Sequence, residues 1–146
     1  MKAINGITRR DVLNFTGGVG IMDTYQHIAT KSAIYPGQGT ALGLAYVALK
    51  LNGEAGEFAE HVGKAMRDDG LITIEHNGEH YLSGVRQPLT PERRALIIKE
   101  VGDVLWYLSA ACNELGIPLS EAAAENLRKL CDRTERDALR GSGDDR

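Results

Sequence analysis

The sequence predicts an all-α protein, a helical bundle of four main helices with one small β-hairpin inserted between them. Three observations carry this. Apolar residues recur at helical spacing through two long segments: Leu44, Val47, Leu51, Phe58 and Val62 in one, Leu96, Val104 and Tyr107 in the other. Each segment opens on a helix-start signal, Thr40 before the first and Thr90-Pro91-Glu92 before the second. The one stretch that alternates apolar and polar residues is short and turns on Asn77-Gly78, a pair that favours two-residue hairpins.

Taken in order, residues 1–20 show no sustained period and read as an arm. Asp23 or Thr24 can cap a first helix to about Ala33, which Tyr35-Pro36-Gly37-Gln38-Gly39 then breaks. Thr40 caps the second helix, which ends near Asp69-Gly70. Residues 71–84 make the hairpin insertion. Thr90 caps the third helix, with Pro91 in the first position, and Gly116 stops it. Pro118 opens the fourth, with Ser120 and Glu121 near its start, through about Leu139; residues 141–146 are a tail. There is no internal repeat. A chain of 146 residues reads as one domain, 1–146, and helices joined this way bury their stripes most simply as a bundle.

Composition narrows the function. The formal net charge of −3 argues against nucleic acid as a partner, because a duplex binder shows a basic face. The longest uncharged stretch, Ser32 to Leu49, contains Pro36, Gly37 and Gly39, so it does not read as a membrane span. The N-terminus lacks an apolar core of signal-peptide length, and Cys112 and Cys131 stand outside any CxxC or Cys/His cluster. Both features predict a cytoplasmic protein with reduced thiols and no zinc site.

The chemistry lies in four acids. Glu54 and Glu57 are three apart on the second helix, and Glu100 and Asp103 repeat the spacing on the third. Each pair shares the apolar stripe that an amphipathic helix turns toward a core, and each sits beside a small residue, Gly56 or Gly102. Either pair alone reads equally well as solvated surface acids. Both together imply carboxylates converging in an interior, where ionised and unpaired they are costly. Basic partners, raised pKa values or bound divalent cations are the remedies. Lys99, the one basic residue within the clusters, points elsewhere. Hard cations such as Mg²⁺ take all-oxygen ligand sets, so metal is the economical reading. A ferritin-like di-iron site would need two Glu-x-x-His motifs, and His61 follows Glu57 by four residues.

The run LNGEAGEFAEHVGKAMRD followed by KEVGDVLWYLSAACNELGIPLSEAAAENLRKLCDR resembles the MazG-like all-α nucleotide pyrophosphohydrolases across roughly residues 23–146. The family pattern, EExxE then ExxD, is met by Glu54, Glu57, Glu100 and Asp103, with Gly53 in place of the first Glu. The resemblance implies hydrolysis of a nucleoside triphosphate, a dNTP foremost, to monophosphate and pyrophosphate. It implies Mg²⁺, or Mn²⁺, on the four acids, with Glu54 or Glu57 taking the proton of the attacking water. It also implies a homodimer or homotetramer, because a partner subunit would close the half-open acidic face. Alternatives are a relative specific for dUTP or phosphoribosyl-ATP, and a non-catalytic helical oligomerisation module that Gly53 would favour.

Phosphate needs cations as well. Lys64 lies two turns beyond Glu57 with Arg67 nearby, and Asn126, Lys129 and Arg133 form one stripe on the last helix. That stripe resembles the family's nucleotide-contacting Asn/Lys/Arg signature, and reads otherwise as a solvated face. Gln26, in Tyr25-Gln26, resembles a family pair near the nucleotide. The tail resembles a GSGDNR ending, which would bring Arg146 to phosphate; it reads equally as a frayed terminus.

Overall fold

The structure is a computed structural model, which describes residues 9–10, 20–69, 73–82 and 89–136, the two short strands through their backbone. The elements are α1 (Ile21–Ala29), a 3₁₀ turn (Thr30–Ser32), α2 (Ala41–Asp68), β1 (Thr73–His76), β2 (Glu79–Leu82), α3 (Pro91–Glu114) and α4 (Leu119–Glu135). The expected tail at 141–146 and most of the 1–20 arm lie outside the described residues, as do positions 71, 72, 83 and 84 at the edges of the hairpin segment. No described helix is long and apolar enough to cross a membrane.

Two helix starts follow their capping residues. The Thr40 hydroxyl accepts from Leu42 N at 3.2 Å and the Thr90 hydroxyl from Arg93 N at 3.2 Å, each satisfying an otherwise orphaned donor. The first helix differs. It begins at Ile21 after Gly20, and Asp23 does not cap it. The Asp23 carboxylate instead accepts from Ser120 N (2.9 Å) and the Ser120 hydroxyl (2.6 Å), so it caps α4 from a distance. A carboxylate satisfies an orphan N–H as well from another segment as from its own, and sequence spacing does not reveal which. The first helix also stops at Ala29 and tightens to 3₁₀, short of Ala33. In the strand pair, Thr73 faces Leu82 and His76 faces Glu79, and Asn77 and Gly78 take φ of 55° and 77°. These positive φ values are those of a type I′ turn.

The frame is the α2–α3 pair. Pairings along it run in opposite directions: Gly39 with Glu114, His61 with Glu100, Asp69 with Arg93. The two helices are therefore antiparallel. Their close approach near the start of α2 depends on Gly43, where an added Cβ would collide with the Gly37 carbonyl and the Glu114 carboxylate. The core is small, built on Tyr35, Val47 and Ala110 with Ala33, Tyr46, Trp106, Tyr107 and Ala111 against it. Of the stripe expected on α2, Val47 is fully buried, but Phe58 is 38% exposed. Leu42 and Leu49 on α2, and Ile98, Val101 and Leu108 on α3, are exposed as well, each set at helical spacing.

Candidate metal and nucleotide site

Half-way along this pair, α2 brings in Glu54 and α3 brings in Glu100 and Asp103. Each offers a carboxylate oxygen, and these oxygens lie within 4.8 Å of one another. Glu100 is buried, Glu54 half-buried and Asp103 exposed, so the group is a partly sunken mouth and not a closed cage. The cost of gathering acids shows on Glu54. Its pKa is raised, first by burial, then by the charges of Glu57 and Asp103.

Glu57 departs from the expected four-acid set. It is exposed, outside the group whose oxygens converge, yet near enough for its charge to act on Glu54. Three residues of helix turn rotate a side chain by about 300°. Asp103 follows Glu100 by the same rotation and stays in the group, so the register of α2 against α3 decides which acid is left at the rim.

The group fits a divalent metal. Three carboxylates converge through oxygen alone, which is the donor set of a hard cation. The protein neutralises them only in part, through Lys50 Nζ at 4.0 Å from Glu54; the His61 imidazole places Nε2 at 3.7 Å from Glu100.

Beside the acids lies a cavity of about 380 Å³ lined by Glu54, Asp103, Trp106 and Tyr107. It adjoins a second, of about 240 Å³, which shares Trp106 and Tyr107 and adds Tyr35, Tyr46, Ile34, Pro36 and Ser32. Tyr35 and Tyr46 stack with ring centres 5.7 Å apart, and Trp106 meets Tyr107 edge-on at 4.8 Å. The Trp106 indole N–H donates to Ala29 O at 3.0 Å and the Ser32 hydroxyl at 3.1 Å. Burial raises the Tyr107 pKa, and Glu54 and Asp103 push it further the same way while Lys50 opposes them. The sequence places Tyr107 on the apolar stripe of the acids but marks neither it nor Trp106 as a wall of the site, although they follow Asp103 by three and four residues, one helical turn. Lys50, four before Glu54, was missed in the same way.

The remaining candidates are scattered. Gln26 is buried at the opposite end of α3. Its amide donates to Ile117 O (3.0 Å) and accepts from Leu119 N (2.7 Å), so both ends are used in clamping the α3–α4 turn. Thirteen residues of helix separate Asp103 from Gly116, about 20 Å, which keeps Gln26 away from the acids. Lys64 pairs with Glu60 at 2.5 Å and Arg67 with Asp68 at 2.6 Å. On α4, Asn126 and Lys129 are exposed while Arg133 is buried at 6%, so the stripe does not form one solvated face. Arg146 lies outside the described residues.

Residues 44–136 match the MazG nucleotide pyrophosphohydrolase domain. The matched span holds Glu54, Glu57, Glu100 and Asp103, with both helices that carry them. A relative described as "Gene 37 protein" of Mycobacterium phage L5 is 40% identical over 129 residues, covering 86% of this chain and 98% of that protein. No solved structure matches the chain.

Proposed function

The chain belongs to the MazG nucleotide pyrophosphohydrolase family, and we propose that it cleaves a nucleoside triphosphate, a dNTP foremost, into monophosphate and pyrophosphate with Mg²⁺ or Mn²⁺. The observation that carries this is the convergence of Glu54, Glu100 and Asp103 at the mouth of an aromatic-walled cavity.

Glu54, Glu100 and Asp103 would hold the metal. When bound, divalent cations supply Lewis-acid polarisation of the phosphoryl group and charge stabilisation for the departing pyrophosphate. Glu57, outside the converging set and open to solvent, would accept a proton from the attacking water. Glu54 shares in that task through an oxygen not used in ligation. Tyr107 and Trp106 offer apolar walls to the nucleoside. Lys50 offers a cation to phosphate once the metal has taken over the neutralisation of Glu54. Lys129 and Arg146 are further candidates for phosphate oxygens. The exposed apolar rows on α2 and α3 support assembly into a homodimer or homotetramer, because contiguous exposed apolar surface marks an interaction face.

Incubation with Mg²⁺ and a panel of nucleotides, followed by chromatography, tests the reading. Attack at the α-phosphorus yields monophosphate and pyrophosphate. Diphosphate and orthophosphate as main products, or no turnover of any nucleotide, would overturn it.

A further inference from the structure

Trp106 and Tyr107 wall both cavities beside the acids, so the two spaces meet along these rings. The first cavity holds Glu54 and Asp103. The second is completed by Ser32, Ile34, Tyr35, Pro36 and Tyr46, with no charged side chain among its described lining. Trp106 follows Asp103 by three residues, about 5 Å along α3, a gap that a pentose bridges. A nucleotide with its phosphates at the acids would extend its base along Trp106 into the second cavity. At about 240 Å³, that space takes one heterocycle.

The indole is held in place. Its N–H donates to Ala29 O at 3.0 Å and to the Ser32 hydroxyl at 3.1 Å. The ring meets Tyr35 and Tyr107 edge-on, with centres 6.3 and 4.8 Å apart. A ring already fixed loses little freedom when a base packs on it.

The polar groups around the second cavity are already committed. The Ser32 hydroxyl donates to Ala29 O at 2.7 Å, and the Tyr35 hydroxyl donates to Glu114 at 2.5 Å. The Gln38 amide donates to Ala33 O at 3.1 Å and to Tyr35 O at 3.2 Å, which engages two carbonyls of the loop. Tyr46 and Tyr107 bring hydroxyls, which both donate and accept and so suit the edge of any base. Among the described residues, no side chain lining this cavity sets a fixed donor and acceptor pattern against a base edge. The rings offer faces. Recognition by faces ignores edge chemistry and grows with the area of the heterocycle.

We propose that the ring-lined cavity is the base subsite and that it selects by ring size: purine nucleotides above pyrimidine nucleotides, with little distinction among purines. This rests on the nucleotide reading above and names the substrate class of that same site. Trp106 is the residue that sets the preference.

Trp106 is the only tryptophan of the chain, so its fluorescence reports on this wall alone. The test titrates the full chain, in Mg²⁺, with 2′-deoxynucleoside α,β-imidotriphosphates, whose bridging nitrogen resists cleavage. The adenine, guanine and hypoxanthine analogues should quench Trp106 and bind within about tenfold of one another, although their edges differ. The cytosine and thymine analogues should bind at least about threefold more weakly than any of these. Trp106→Leu, followed by calorimetry, should weaken purine binding by roughly tenfold and bring purines and pyrimidines within about threefold. If Trp106→Leu does not fold, the wild-type titrations decide alone. Binding without quenching, a purine advantage below threefold, or unchanged purine affinity in Trp106→Leu overturns the proposal. So does a spread beyond tenfold among the three purines, which a site that reads edges would give. These readouts need no turnover. Ordered, quenching binding in a chain that releases no pyrophosphate would sink the enzymatic reading and leave this one standing. Triphosphate cleavage without the ring-size order would do the reverse, and no binding of any analogue would overturn both.

Discussion

Two places on the same helix pair treat carboxylates in opposite ways. Where α2 begins and α3 ends, Glu114 accepts from the Tyr35 hydroxyl at 2.5 Å and from Gly39 N at 2.8 Å, one acid with a donor for each oxygen. Burial and that hydrogen bond together push the Tyr35 hydroxyl well above its usual pKa, so it stays a donor. Half-way along the pair, Glu54, Glu100 and Asp103 converge, with Lys50 and His61 at 4.0 and 3.7 Å among the described residues. The difference separates structure from function. An acid whose lone pairs the protein fills fixes a loop, and acids gathered together, as Glu54, Glu100 and Asp103 are, make a place that a cation fits.

Neutral replacement at the two places is the sharpest way to break this comparison. Glu100→Gln, Asp103→Asn and Glu54→Gln should each lower turnover by about a hundredfold or more, because the lost charge serves the metal. They should keep their helical circular dichroism, and should not lose metal-free stability, since like charges are removed. Mg²⁺ should raise the melting temperature of the wild type and do so much less in these variants. Glu114→Ala should do the reverse. It strands the Tyr35 hydroxyl and Gly39 N–H, costing about 1–3 kcal/mol of stability, while turnover well below its melting temperature stays near wild type. If Glu114→Ala silences the enzyme and Asp103→Asn does not, the two places have been assigned the wrong way round.

The pH dependence of stability gives a second, smaller contrast. In the absence of metal, Glu54 has a folded pKa above its ordinary 4.5, so the folded state holds its proton longer than the unfolded chain. Its contribution is favourable at low pH and is lost as pH rises through 4.5 toward the folded value. Asp69, held low mainly by its hydrogen bond to Arg93, has the opposite sign: its stabilisation is present above 3.8 and is lost as pH falls through its depressed folded pKa. Melting curves in EDTA should show Glu54→Gln gaining on the wild type as pH rises. Asp69→Asn should fall behind above pH 3.8 and converge with the wild type in stronger acid. A Glu54→Gln difference that is flat with pH would mean that the acids do not strain the fold.

The smallest effect belongs to the outlying cations. Lys129→Ala, or deletion of residues 141–146, should raise KM by about tenfold and spare kcat, because one exposed phosphate contact is worth on the order of 1.5 kcal/mol. A kcat loss equal to that of Asp103→Asn would move Lys129 or the tail into the chemistry.

Much of this was legible in the sequence, for local reasons. Thr40 and Thr90 announce two helices because a cap acts within three residues of its own position. Glu54, Glu100 and Asp103 stood out because an acid on an apolar stripe is anomalous within a single turn of helix. The convergence of the two acid pairs, in contrast, depends on the register of α2 against α3, which no local pattern states. Register decided that Glu57 sits at the rim, that Lys50 comes within 4.0 Å of Glu54 and His61 within 3.7 Å of Glu100, and that Trp106 and Tyr107 wall the cavity.

Gln26 and Asp23 show the same limit from the other side. Both lie on a helix where a polar residue could face a ligand, and both were spent on donors and acceptors about ninety residues away: Ile117 O, Leu119 N and Ser120. The sequence by itself determined which segments become helices and which acids are out of place, since propensity, capping and periodicity act over one turn. Tertiary structure alone decided which polar groups are already satisfied and which remain available. A hydrogen-bond partner is chosen by distance in space, and distance along the chain does not set it.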